Sequence, residues 1–147
     1  LQASGADLVV LDSRPMPEFR TMSIPGGLDC PGAELVHRAR GAAPNPDTLV
    51  VVNCAGRTRS IIGAQSLINA RLPNRVVALE NGTMGWELAG LTLAHGATRS
   101  VPPPDAATLG WARAAAADLA QRTGVRRITR DDLARFQAES ATRSLYV

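Results

Sequence analysis

The sequence contains no lysine; all sixteen basic residues are arginine. With the abundance of alanine, that reads as composition rather than chemistry. There are two cysteines, Cys30 and Cys54, too few for a disulfide framework or a four-ligand zinc site. A disulfide-poor chain fits a reducing compartment, so the cytoplasm is the expected location. His37 and His95 have no second histidine, aspartate or cysteine at metal-ligand spacing, so no metal site is expected. No apolar run approaches the roughly 18 residues of a membrane span, and no membrane partner is expected. No basic start, apolar stretch and cleavage site opens the chain. It begins at Leu1 without methionine, which leaves an upstream targeting segment open. Aromatic residues are scarce: two Phe, two Trp and one Tyr. The arginine group Arg126, Arg127, Arg130 and Arg135 is interleaved with Asp131 and Asp132. Without stacking side chains it reads as a solvated helix face rather than a nucleic-acid site.

What remains is a chain of 147 residues with 45% apolar and 20% charged composition, sufficient for one packed domain. Its net charge of +3 is spread thinly: nine arginines against eight acids over residues 1–100, seven against five over 101–147. Leu8–Leu11 is a short apolar run ending at Asp12, a buried strand. Pro15 and Pro17 open a short helix carrying Glu18 and Phe19. Ile24-Pro25-Gly26-Gly27 turns the chain, and a helix runs from near Pro31 to about Arg40. Thr48–Asn53 is β-branched and uninterrupted, the strongest strand signal, as in a parallel sheet covered on both faces. From Ser60 the period changes to that of a helix with one apolar face, ending near Arg71–Asn74. Arg75–Leu79 is another strand, Asn81-Gly82 a turn, and a short helix surrounds Trp86. Strand and helix alternate, which argues for an α/β domain with a mostly parallel sheet.

The last third differs. Residues 1–97 read as the α/β domain, 98–105 as a Pro-rich linker, and 106–147 as a helical extension. The extension has one helix stopping at Gly124 and a second starting at Thr129-Arg130-Asp131-Asp132. Trp111 and Phe136 are its expected anchors. Ser144–Val147 reads as a truncated strand leading into a following repeat, and Ser140–Val147 echoes Ser4–Val10 with one extra residue.

The chemistry concentrates at Asn53-Cys54-Ala55-Gly56-Arg57-Thr58-Arg59-Ser60, which joins the best strand to the best helix. Ligands of parallel α/β sheets bind at the carboxyl ends of strands. A loop curling into a helix N-terminus aims backbone N–H groups at one point and favours an anion. A cysteine in that field is favoured as its thiolate, and Arg57 and Arg59 add positive charge. Gly56 permits a left-handed turn. The bland alternative, a free cysteine packed as a small hydrophobe, suits Cys30 better, which lacks nearby arginine. Asp12 and Arg14 end the first strand near this loop and either brace it as a pair, stay solvated, or place the arginine in a contact inside the fold. Glu18 reads as a hydrogen-bond partner, and Trp86 as packing.

Cys54-Ala55-Gly56-Arg57-Thr58-Arg59-Ser60 resembles the active-site loop of rhodanese-type sulfurtransferases. Asp12-Ser13-Arg14 followed by Glu18-Phe19, the turn Ile24-Pro25-Gly26-Gly27, and Leu79-Glu80-Asn81-Gly82 with Gly85-Trp86 and Gly90 resemble the family's flanking motifs in order. Met22-Ser23 stands where the family often has Gly-His, and Asn81-Gly82 where it often has Gly-Gly. The chain is most similar to one unit of the tandem bacterial proteins that string several such domains together. The resemblance implies an α/β fold with about five parallel strands between helices. It implies that Cys54 carries sulfane sulfur as a persulfide from a donor such as thiosulfate to cyanide or a thiol. Ala55, Gly56, Arg57, Thr58, Arg59 and Ser60 would bind the small anionic donor; Asp12, Arg14 and Trp86 would support them. No cofactor is implied. An acceptor protein and neighbouring repeats are further partners. The alternative is a sulfur-carrying or regulatory module with poor turnover. A phosphatase-like activity is disfavoured: related dual-specificity phosphatases space Cys and Arg by five residues, whereas four separate Cys54 from Arg59 and Ser60 stands where the arginine would be needed.

Overall fold

The computed structural model describes residues 5–139 with 141, 142 and 144. The elements, in order, are β1 (Leu8–Asp12), α1 (Met16–Thr21), β2 (Leu28–Asp29), α2 (Leu35–Ala42) after a single 3-10 turn, and β3 (Leu49–Asn53). Then follow α3 (Thr58–Asn69), β4 (Val76–Ala78), α4 (Gly82–Leu88), α5 (Ala106–Thr123) and α6 (Arg130–Ala138). All the paired strands are parallel, in the order β2-β1-β3-β4. The fold is α/β with C-terminal helices, as expected; among the described residues the sheet has four strands rather than five. The outer position beside β2 is taken by a single parallel bridge, Asp29 to Ser100. Arg99 and Val101 complete that bridge through backbone hydrogen bonds to Asp29, and Val101 is buried. Three residues of the segment read as a linker are thus built into the sheet edge.

Side-chain alternation along the two central strands makes two cores. Leu11, Val50 and Val52 point to the face covered by α2 and α3, with Leu35, Ala39, Ala64 and Leu67. Val10 and Val51 point to the other face, with Ile24 and the partly buried Trp86 and Leu93. Gly63 lets α3 lie close on the first face: a Cβ there would come within 2.6 Å of Leu35 Cδ1. Cys30 belongs to this core, and burial pushes its thiol up to about 12. It therefore stays protonated at neutral pH. Iodoacetamide at pH 8 is expected to leave Cys30 unmodified in the folded chain and to modify it in urea, as peptide mass spectrometry will show.

α5 packs on α2. Trp111 sits against the first core with Arg40 over its ring at 5.6 Å, and Arg38 Nη1 donates to Val101 O at 3.0 Å. Asp105 caps α5 by accepting from Thr108 N, and Gly124 ends it in a left-handed conformation. The acids expected at the start of α6 make a reciprocal capping box between Thr129 and Asp132. α6 buries none of its described residues, and Phe136 stacks under Arg135 of its own helix. The strand expected over Ser144–Val147 lies outside the described residues apart from Ser144, which has no regular structure.

Candidate active site at the end of the central strands

The register places Asp12 opposite Asn53, so the two central strands end level. Their carboxyl ends carry a buried polar chain. Arg14 forks onto Asp12, Nε to Oδ1 and Nη2 to Oδ2, both at 2.8 Å, and Nη2 also donates to Met22 O at 2.7 Å. Both side chains are almost wholly inaccessible, at 2% and 1% exposure, so the pair braces the strand ends and is not solvated. Asn53 Nδ2 donates to Asp12 Oδ2 at 2.7 Å and to Thr83 Oγ1 at 3.0 Å. The Thr83 hydroxyl donates in turn to Cys54 O at 3.2 Å. Ser13 ties the neighbouring carbonyl, donating from N and Oγ to Asn53 O.

The loop after β3 is held from behind by the start of α4. Thr83 N donates to Cys54 O and Met84 N to Ala55 O, each at 2.9 Å. A trans peptide sets N–H opposite C=O. Pinning those two carbonyls toward α4 therefore turns the Ala55 and Gly56 N–H groups to the side α4 does not cover. Among the described residues the amides of Ala55, Gly56 and Arg57 donate to nothing. Gly82, at φ +57°, permits this contact: a Cβ there would press on Cys54 O and come within 2.8 Å of Gly56 O. Glycine at this point is demanded by both the backbone conformation and the space.

Cys54 is 2% exposed, yet it belongs to neither apolar core. As a thiol its Sγ donates to Ser60 Oγ at 3.4 Å, and Ser60 Oγ donates to Arg57 O at 3.0 Å. A hydroxyl rotates freely enough to donate to a thiolate instead. Arg57, Thr58 and Arg59 form the exposed rim, and Arg57 opens α3 as its N-cap residue. The two rim arginines differ. Arg59 is clamped by Glu18 in a double hydrogen bond at 2.8 and 2.7 Å. That guanidinium holds the Glu18 carboxyl below the usual range. Arg57 makes no side-chain hydrogen bond or ion pair among the described residues.

The sequence profile of the rhodanese-like domain matches residues 1–89. The chain belongs to the rhodanese-like family. Its structure is similar to that of a thiosulfate sulfurtransferase from Pseudomonas aeruginosa, at 52% identity and a TM-score of 0.89 over 95% of this chain and 26% of that one. An HTH-type transcriptional regulator from Mycobacterium tuberculosis is 32% identical over 94 residues, 63% of this chain and 40% of the regulator. A protein of unknown function from Rhodopseudomonas palustris, named as a possible tyrosine phosphatase, is 28% identical with a TM-score of 0.54, over 63% of this chain and 75% of that one. The chain thus spans about a quarter of the Pseudomonas protein and two-fifths of the regulator.

Within this rhodanese-like domain, the loop from Cys54 to Ser60 and the Asp12–Arg14 pair lie at one end of the sheet. Trp86 packs on the second core and donates from Nε1 to Thr92 O at 3.0 Å. The sequence sets Asn53 at the head of the loop segment and Gly82 in a flanking motif without giving either a role in the site, and it does not point to Thr83. Asn53 had one usable signal, a polar residue closing a β-branched strand. Thr83 had none.

Proposed function

We propose that this domain is a sulfurtransferase working through Cys54. The Cys54 thiolate attacks the outer sulfur of thiosulfate; a new sulfur–sulfur bond forms, the old one breaks, and sulfite leaves with the electron pair. A thiophilic acceptor, cyanide or a thiol, then attacks the outer sulfur of the persulfide and the Cys54 thiolate leaves. Two displacements through one covalent intermediate give ping-pong kinetics. One observation carries the reading: among the described residues the loop around Cys54 leaves three amides without an acceptor, and the Cys54 sulfur already touches Ser60. Such donors suit an anionic sulfur about 2 Å beyond Sγ, the length of one S–S bond. Arg57 is the cation free to meet the sulfonate end of the donor. Arg59 serves by fixing the loop to α1 through Glu18. Asp12, Arg14, Asn53 and Thr83 act as supports. The similarity to a quarter of a thiosulfate sulfurtransferase supports reading the chain as one unit of a longer, tandem protein; its two-cysteine composition fits the cytoplasm.

The test is mass spectrometry after thiosulfate treatment. One added sulfur is expected on Cys54 and none on Cys30, with loading abolished in Cys54→Ser. Undiminished sulfur transfer in that variant defeats the proposal. The second reading, a sulfur-carrying or regulatory module, is favoured by the near-complete burial of Cys54 and by the transcriptional-regulator relative. It predicts one stoichiometric loading and no multiple turnover with cyanide. Against a phosphatase stands Ser60, fully buried where an arginine would be required.

A further inference from the structure

A second cavity-forming region lies away from the reacting sulfur. At the carboxyl end of β4 is a cavity of about 380 Å³, lined by Arg57, Ile61, Ala78, Leu79, Glu80 and Asn81. Its volume falls in the range of small-molecule sites. Arg57 and Ile61 stand one turn apart at the start of α3, and the other four residues run from the end of β4 to the turn into α4. Cys54 is not in its wall. The cavity lies behind the cysteine loop, on the α4 side, whereas the Ala55 and Gly56 amides turn to the side α4 does not cover. Two links still join it to the loop. Leu79 O accepts from Gly82 N at 3.2 Å, and Gly82 is the residue packed on the carbonyl oxygens of Cys54 and Gly56. The other link is Arg57, an exposed rim residue whose side chain lines this cavity.

The wall carries one charge of each sign. Arg57 and Glu80 share the cavity without pairing, and neither has a salt bridge or side-chain hydrogen bond among the described residues. A carboxylate on Arg57 and an ammonium on Glu80 satisfy both through charge-assisted hydrogen bonds. Ile61, Ala78 and Leu79 give a carbon chain its apolar wall. We infer that this cavity is a binding site for a small zwitterion of the amino-acid type, and that its occupant opposes the sulfur donor by holding Arg57. The second half rests on the sulfurtransferase reading above, in which Arg57 meets the sulfonate end of the donor. The other rim cation cannot substitute, because Arg59 is clamped by Glu18. The single charge of Arg57 cannot neutralise a carboxylate behind the loop and a sulfonate in front of it together. Zwitterion and donor therefore weaken each other's binding by the same factor.

The probe is leucine, which has no thiol and takes no part in sulfur transfer. Its controls are 4-methylpentanoate, which lacks the ammonium, and 3-methylbutylamine, which lacks the carboxylate. Leucine should shift the amide NMR signals of residues 78–81 and bind at least about fivefold tighter than either control, the scale of one charge-assisted contact at an exposed site. Glu80→Gln should abolish that advantage over 4-methylpentanoate. No shift with leucine, equal binding of all three probes, or an advantage untouched by Glu80→Gln overturns the site. Persulfide loading is then timed with and without saturating leucine. At low thiosulfate the rate should fall about fivefold, and at saturating thiosulfate it should recover, because the contest is over donor binding. Glu80→Gln should load within about twofold of the wild-type rate and ignore leucine. Undiminished loading at low thiosulfate with the cavity occupied overturns the antagonism. Absence of loading in every sample defeats the sulfurtransferase reading, and the antagonism with it, while the NMR shifts still decide the zwitterion site.

Discussion

Replacing Gly82 with alanine is expected to slow persulfide loading from thiosulfate about 100-fold, the cost associated with displacing a reacting group by about 1 Å. The new methyl would press on the carbonyl oxygens of Cys54 and Gly56, the latter at 2.8 Å. Backbone on both sides cannot swing aside as a flexible side chain would. The loop must move off α4, and the two amides at 2.9 Å that pin Cys54 O and Ala55 O are loosened with it. Alanine at positive φ also costs about 1 kcal/mol through strain alone. Gly90 separates the two effects: its φ is +73°, and a Cβ there meets nothing within 4 Å. Gly90→Ala should therefore lose a similar amount of stability in urea while loading at the wild-type rate. Gly82→Ala loading as fast as Gly90→Ala defeats the claim that α4 shapes the cysteine loop.

The second large effect is on stability. Asp12→Ala leaves the Arg14 guanidinium buried with Met22 O as its remaining partner. Breaking a buried ion pair from one side costs about 3–5 kcal/mol. Against a total of roughly 5–15 kcal/mol that is a severe loss. With a urea dependence of about 2 kcal/mol per molar, the midpoint should fall by about 2 M. The cost is one of stranding a charge rather than of losing an attraction. Asp12→Leu combined with Arg14→Met should accordingly recover part of the midpoint, since apolar replacements of such pairs are often neutral. A double variant less stable than Asp12→Ala contradicts this account. Both sets should also lower loading, because Asp12 holds Asn53, and Asn53 holds Thr83 against Cys54 O.

The fold is legible in the sequence where the signal is local. The runs at Leu8–Leu11 and Thr48–Asn53, and the change of period after Ser60, correspond to β1, β3 and α3. β2 carries no sequence signal, because two residues, Leu28 and Asp29, make no pattern. The sheet edge beyond it is a single bridge at Ser100, reached only when the chain returns after α4. Arg14 followed the same logic. From the sequence, a brace paired with Asp12, a solvated pair and an arginine contact inside the fold stand equal; the return of Met22 and the neighbouring Asp12 bury it.

By itself the sequence determined the alternation of strand and helix and the composition of the loop from Cys54 to Ser60, because both depend on contiguous residues and their period. Only the tertiary structure decided which arginine is clamped, which glycine touches the loop, and that Asn53 and Thr83 link Asp12 to Cys54. Glu18 and Arg59 are 41 positions apart, as are Asp12 and Asn53, and 30 separate Asn53 from Thr83. Contacts at such separations are set by strand register and helix docking, which only the packed chain as a whole specifies.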